Sequence, residues 1–93
     1  MSFYKNKLAQ INQYSIDSTN FNVVIESFVA TEGQTVFTLT NTYEIGKNRL
    51  EVSIDGIQQF APNNFTETSP TSITFSEGLP VGTKVDIEIT QIN

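Results

Sequence analysis

A chain of 93 residues with no cysteine and no histidine is the size of one domain. It lacks the side chains that ordinarily build disulfides, zinc sites or iron–sulfur clusters, so no cofactor and no metal are expected, and stability must come from apolar burial, backbone pairing and association. The net charge is −5 with only five cations in the whole chain, which excludes nucleic acid as the expected partner, because a phosphate backbone is gripped by clustered Lys and Arg.

The acidity is uneven. Lys5 and Lys7 against Asp17 give residues 1–22 a charge of +1, whereas three basic and nine acidic side chains leave residues 23–93 at −6. Residues 1–22 also differ in pattern and form an N-terminal arm. Tyr4, Leu8 and Ile11 are spaced by four and three, which aligns them on one side of a short helix. A helix of about three turns is marginal in water unless something covers its apolar side. Tyr4, Leu8 and Ile11 are therefore the candidate subunit interface, docking on the β domain or on other copies; the alternative is an extended arm. Asp17-Ser18-Thr19-Asn20 reads as a linker. The stretch Leu8–Gln13 is too polar for the apolar core of a secretory leader, and no run of about 18 apolar residues exists to cross a membrane. Synthesis in a cytoplasm is the expectation.

From Val23 onward the period changes to two. Phe37 and Leu39, Leu50, Val52 and Ile54, Ile73 and Phe75, and Val85, Ile87 and Ile89 each alternate with polar neighbours. One apolar and one wet face per segment is the pattern of antiparallel strands over a single core, and Thr, Val, Ile and Phe suit strand sterics. Asp55-Gly56 between Ile54 and Ile57 signals a tight hairpin. Gly33, Pro62-Asn63-Asn64 and Gly78-Leu79-Pro80-Val81-Gly82 mark further reversals. The prediction is all-β: a small antiparallel β-sandwich of about seven strands over residues 23–93, near 23–30, 34–39, 48–54, 57–60, 64–68, 71–76 and 83–91. The inward set is Phe37, Leu39, Leu50, Val52, Ile54, Phe65, Ile73, Phe75, Val85, Ile87 and Ile89. Segment 23–30 is apolar on both faces, which predicts either a central strand or a face lent to a partner.

Nothing in the inventory assembles into a catalytic site. Without His or Cys a nucleophile has no ordinary base. The acidic pairs, Asp86 with Glu88 and Glu51 with Asp55, sit on a solvated strand face and at a hairpin, without the cleft a glycosidase needs or the converging loop oxygens of a calcium site. No catalytic, cofactor-binding or metal-ligating residue is assigned. Tyr43 and Phe60 fall near turns. Each either closes one end of the core or offers a receptor contact.

The run Phe28-Val29-Ala30-Thr31-Glu32-Gly33-Gln34-Thr35-Val36-Phe37-Thr38-Leu39 resembles the opening of a small β module of tailed-bacteriophage virion proteins. The likeness continues through Tyr43, Leu50–Gln59 with its Asp-Gly turn, Phe65-Thr66-Glu67, Ser72–Phe75 and Gly78–Ile87, covering about residues 28–89. Thr83 stands where an aspartate is usual. The resemblance implies a non-enzymatic building block of tail fibres, head fibres, baseplates or receptor-binding proteins. It further implies location in the virion, partners among other virion proteins and a homo-oligomer, with a homotrimer expected by analogy. The competing expectation is a carbohydrate-binding module that recognises a host surface glycan through Tyr43 and Phe60, with Gln58-Gln59 beside them.

Overall fold

The structure, a computed structural model, describes residues 21–92. There the period-two pattern becomes seven strands: β1 (Phe21–Val29), β2 (Gln34–Thr38), β3 (Leu50–Ile54), β4 (Ile57–Gln59), β5 (Phe65–Ser69), β6 (Ser72–Leu79) and β7 (Lys84–Ile92). Among the described residues there is no helix. The strands form a four-stranded sheet in the order β1-β7-β3-β4 and a three-stranded sheet in the order β2-β6-β5, and every pair is antiparallel. The chain changes sheets after β1, β2, β4 and β6, which forces the sheets to share one core.

Local chemistry explains the turns. In the β3–β4 hairpin Asp55 and Gly56 both have positive φ, 48° and 85°, as a type I′ turn requires. The Asp55 carboxylate accepts a hydrogen bond from the Lys84 amide at 2.9 Å, and the Asp55 amide donates to the Lys84 carbonyl at 2.8 Å. The hairpin is thereby fixed to the start of β7. The 60–64 reversal is closed by Asn64, whose amide donates to the Phe60 carbonyl and whose side-chain oxygen accepts from the Phe60 amide. Gly78 lies where β6 passes the β1–β2 turn. A Cβ there would sit 2.9 Å from the Gly33 carbonyl oxygen, so only glycine lets the two backbones approach.

The core joins inward side chains of both sheets. Phe37, Leu39, Val52, Phe65, Ile73, Phe75, Val85, Ile87 and Ile89 are buried as the alternation predicts, and Leu50 and Ile54 pack against them partly exposed. Phe28, Phe37, Phe75 and Phe65 form a chain of ring contacts at 5.5, 5.5 and 6.2 Å between centroids, the edge-on and tilted geometry aromatic pairs prefer. Three buried apolar residues lie outside the predicted inward set: Ala30, Tyr43 and Leu79. Ala30 and Tyr43 lie just outside strands, and Leu79 lies in a stretch whose glycine and proline read as a turn, although β6 runs through Gly78 to Leu79.

β1 begins at Phe21, taking in two residues assigned to the arm, and it lies at the edge of its sheet, which rules out the central position that was one of the two expectations for segment 23–30. Val24 and Phe28 turn inward; Val23, Ile25 and Val29 stay exposed on the outer face. Glu26 ties this edge to the loop that follows β2 of the opposite sheet. Its carboxylate accepts hydrogen bonds from the Thr40 amide at 2.9 and 3.0 Å and from the Asn41 amide and side-chain nitrogen, both at 2.8 Å. Burial pushes the Glu26 carboxyl up, but the hydrogen bonds from Thr40 and Asn41 together outweigh it and hold the group below its ordinary value.

Candidate interaction surfaces

The residues singled out in the sequence take different places. Tyr4, Leu8 and Ile11, with the predicted arm helix, lie outside the described residues. Tyr43 is no surface contact. It is only 5% exposed, because segment 39–43 lies along the β5–β6 turn, with the Leu39 amide donating to the Thr71 carbonyl and the Tyr43 amide to that of Pro70. The phenol donates to the Ser72 carbonyl at 2.9 Å. Burial, with the nearby charge of Glu67 added, pushes its pKa up to about 12. Tyr43 therefore closes one end of the core, the first of the two places the sequence left open for it. Phe60 is the opposite case, 58% exposed just past β4, with Ile57 also exposed on that strand.

The acidic side chains gather on the outer face of the four-stranded sheet. The register sets Ile25 opposite Glu88 and Glu88 opposite Glu51; the next row sets Ser27, Asp86, Ser53 and Gln58 side by side. Ser27 donates to Asp86 at 2.6 Å. Glu51 and Glu88 face each other across neighbouring strands as like charges, an arrangement that costs stability. Arg49 is near in sequence, but its guanidinium pairs with Glu44 at 3.3 Å. A shallow depression of about 280 Å³ lies over this face, lined by Ile25, Glu51, Ser53, Asp86 and Glu88 among others. Among the described residues, no group of three or more His, Cys, Asp or Glu side chains is placed to hold a metal ion. Asp55, which borders the hairpin with Glu51, accepts from the Lys84 amide.

A second depression, about 430 Å³, is lined by Thr42, Tyr43, Glu44, Pro70, Thr90, Gln91 and Ile92 at the end where β1 begins. The Gln91 side chain donates to the Thr42 carbonyl within it at 3.0 Å. Both depressions are lined by hydroxyl, amide and carboxylate groups, with Ile25 beside them in the first and Pro70 and Ile92 in the second.

The fold and surfaces define an all-β module of two antiparallel sheets. Comparison with family models, with curated proteins and with solved structures finds no match to this chain.

Proposed function

We propose that the chain is a non-enzymatic structural module of a bacteriophage virion, in a fibre, tail or head-associated position, acting in assembly or attachment through protein–protein contacts. It is made in the host cytoplasm and resides in the particle. The observation that carries this reading is where the exposed apolar side chains lie. They occur on strand edges and turn ends, with Val23, Ile25 and Val29 along β1 and Ile57 and Phe60 at the far edge, while the depressions on the surface are shallow. Apolar side chains on convex rims suit docking against neighbours better than enclosing a small substrate. The resemblance over residues 28–89 supplies the virion context. Mass spectrometry of density-purified particles from the source phage tests it: the chain should be present at a fixed copy number per particle, and its absence would refute the assignment.

The exposed ring of Phe60, with Gln58 and Gln59 on the adjoining strand, keeps one attachment variant in play, contact with a host surface glycan. Reproducible glycan-array binding abolished by Phe60→Ala would promote it over a purely structural role.

A further inference from the structure

Four strands lie at sheet edges, and three carry a feature that discourages pairing with another chain. β4 is only three residues long, and the registers of β2 and β5 are interrupted, between Gln34 and Val36 and between Glu67 and Ser69. Short edges and bulges are ordinary means of blocking edge-to-edge association. β1 has neither. It pairs with β7 without interruption over nine residues, Phe21↔Ile92 to Val29↔Lys84, and contains no proline, lysine or arginine. Its one charged side chain, Glu26, is held by Thr40 and Asn41 of the β2–β3 loop.

The ladder also shows which backbone groups have no partner among the described residues. The Ala30 amide donates to the Thr83 carbonyl, and the Ala30 carbonyl accepts from the Gly82 amide. Even-numbered residues of β1 therefore bond to β7, and Val23, Ile25, Ser27 and Val29 aim their N–H and C=O groups away from the sheet. The same alternation puts their side chains on the outer face, where Ile25 and Val29 are 64% and 68% exposed.

We infer that β1 is a self-association edge whose partner is the β1 of a second copy, paired antiparallel about a two-fold axis at Ile25, the middle residue of the strand. That register sets Ile25 against Ile25 and Val23 against Ser27 of the second copy. It brings no charged side chain to the outer face of the join, since Glu26 lies on the inner face opposite Val24 of the second copy and stays held by Thr40 and Asn41, and it joins two four-stranded sheets into one of eight. A two-fold contact needs such a self-complementary strip. Repulsion between the acidic faces does not prevent it. Glu88 lies one strand in from the join, so the two Glu88 carboxylates are three strand spacings apart, about 14 Å, beyond the Debye length at physiological salt. The biological meaning of this contact rests on the structural-module role proposed above, in which neighbouring copies meet.

The test uses the full chain. Sedimentation at submillimolar concentration should give a monomer–dimer equilibrium. Ile25→Lys puts two cations face to face at the axis and should raise the dimer dissociation constant at least about ten-fold, with an unchanged circular dichroism spectrum because the site is solvent-exposed in the monomer. A nitroxide on Glu51→Cys, the only cysteine the chain would contain, provides a second readout independent of that variant's folding. Ile25, Glu88 and Glu51 share one row, so the two labels should lie about five strand spacings apart, about 24 Å before label linkers. A strict monomer, a three-fold assembly, a dimer that survives Ile25→Lys or a label distance far from this value would each overturn the edge pairing. Failure here is separable from failure of the virion assignment: a solution monomer that is nonetheless found in purified particles sinks only the former, and a dimer absent from particles sinks only the latter.

Discussion

Glu26 joins the edge strand β1 to the β2–β3 loop through its charge, and replacing it by Gln changes little except that charge. The carboxylate accepts from two backbone amides and one side-chain amide of Thr40 and Asn41. Gln keeps one carbonyl oxygen and turns a second set of N–H donors toward those amides, so at least one contact becomes donor against donor. A hydrogen bond to a charged group contributes roughly 1.5–3 kcal/mol. With Glu26 partly exposed, the low end is appropriate, and Glu26→Gln should cost about 2 kcal/mol. Set against the roughly 4–10 kcal/mol expected for some 70 ordered residues, that lowers the thermal midpoint by about 8–16 °C. The sign of the pH dependence follows from the depressed carboxyl. A group whose folded pKa lies below its unfolded value stabilises fully above the unfolded value of 4.5 and loses that contribution as pH falls through the folded pKa. The gap between wild type and Glu26→Gln should therefore be widest at pH 6–7 and close below the folded pKa. Urea unfolding of both proteins from pH 7 to pH 3 measures it. A neutral-pH difference under about 0.5 kcal/mol, the size of an ordinary surface substitution, or a gap constant with pH, would refute the reasoning.

Tyr43→Phe should cost about 1 kcal/mol near neutrality for the lost bond to Ser72. Because the folded phenol titrates near 12 and the unfolded one near 10, wild type loses on the order of 2–3 kcal/mol between those values, and the gap should close or invert in alkaline urea titrations. Glu51→Gln removes the like-charge pair with Glu88 and should raise the thermal midpoint by about 1–4 °C at low ionic strength; calorimetry should see the gain fade at high salt. Gly78→Ala should destabilise by about 2–3 kcal/mol, since the new methyl meets the Gly33 carbonyl. Gly56→Ala has open space around it and should cost only about 1–2 kcal/mol for its positive φ. Equal losses in denaturant melts would show that the close approach at Gly78 is unimportant.

The strands were legible because side-chain alternation is a local property of extended backbone. Val52, Ile73, Val85, Ile87 and Ile89 are buried wherever their strands pair, and Asp55-Gly56 turns the chain whatever surrounds it. Ala30 and Leu79 were not legible as core, and for Tyr43 the sequence left a core-closing place and a receptor contact both open. Their burial depends on where a loop or strand end comes to rest against the other sheet, and no periodicity records that. The acidic row was likewise hidden: Glu51 and Glu88 are 37 positions apart, and only register makes them neighbours.

Segment 23–30 divides the two sources of information most sharply. Its amino acids determined a strand apolar on both faces, through β-branched and aromatic side chains at successive positions. Whether the second face would be covered by the chain's own sheet or left for another molecule was decided only by tertiary structure, in the strand order β1-β7-β3-β4. Hydrophobicity specifies that a side chain should leave water; the pairing of distant strands specifies which neighbour is there to receive it.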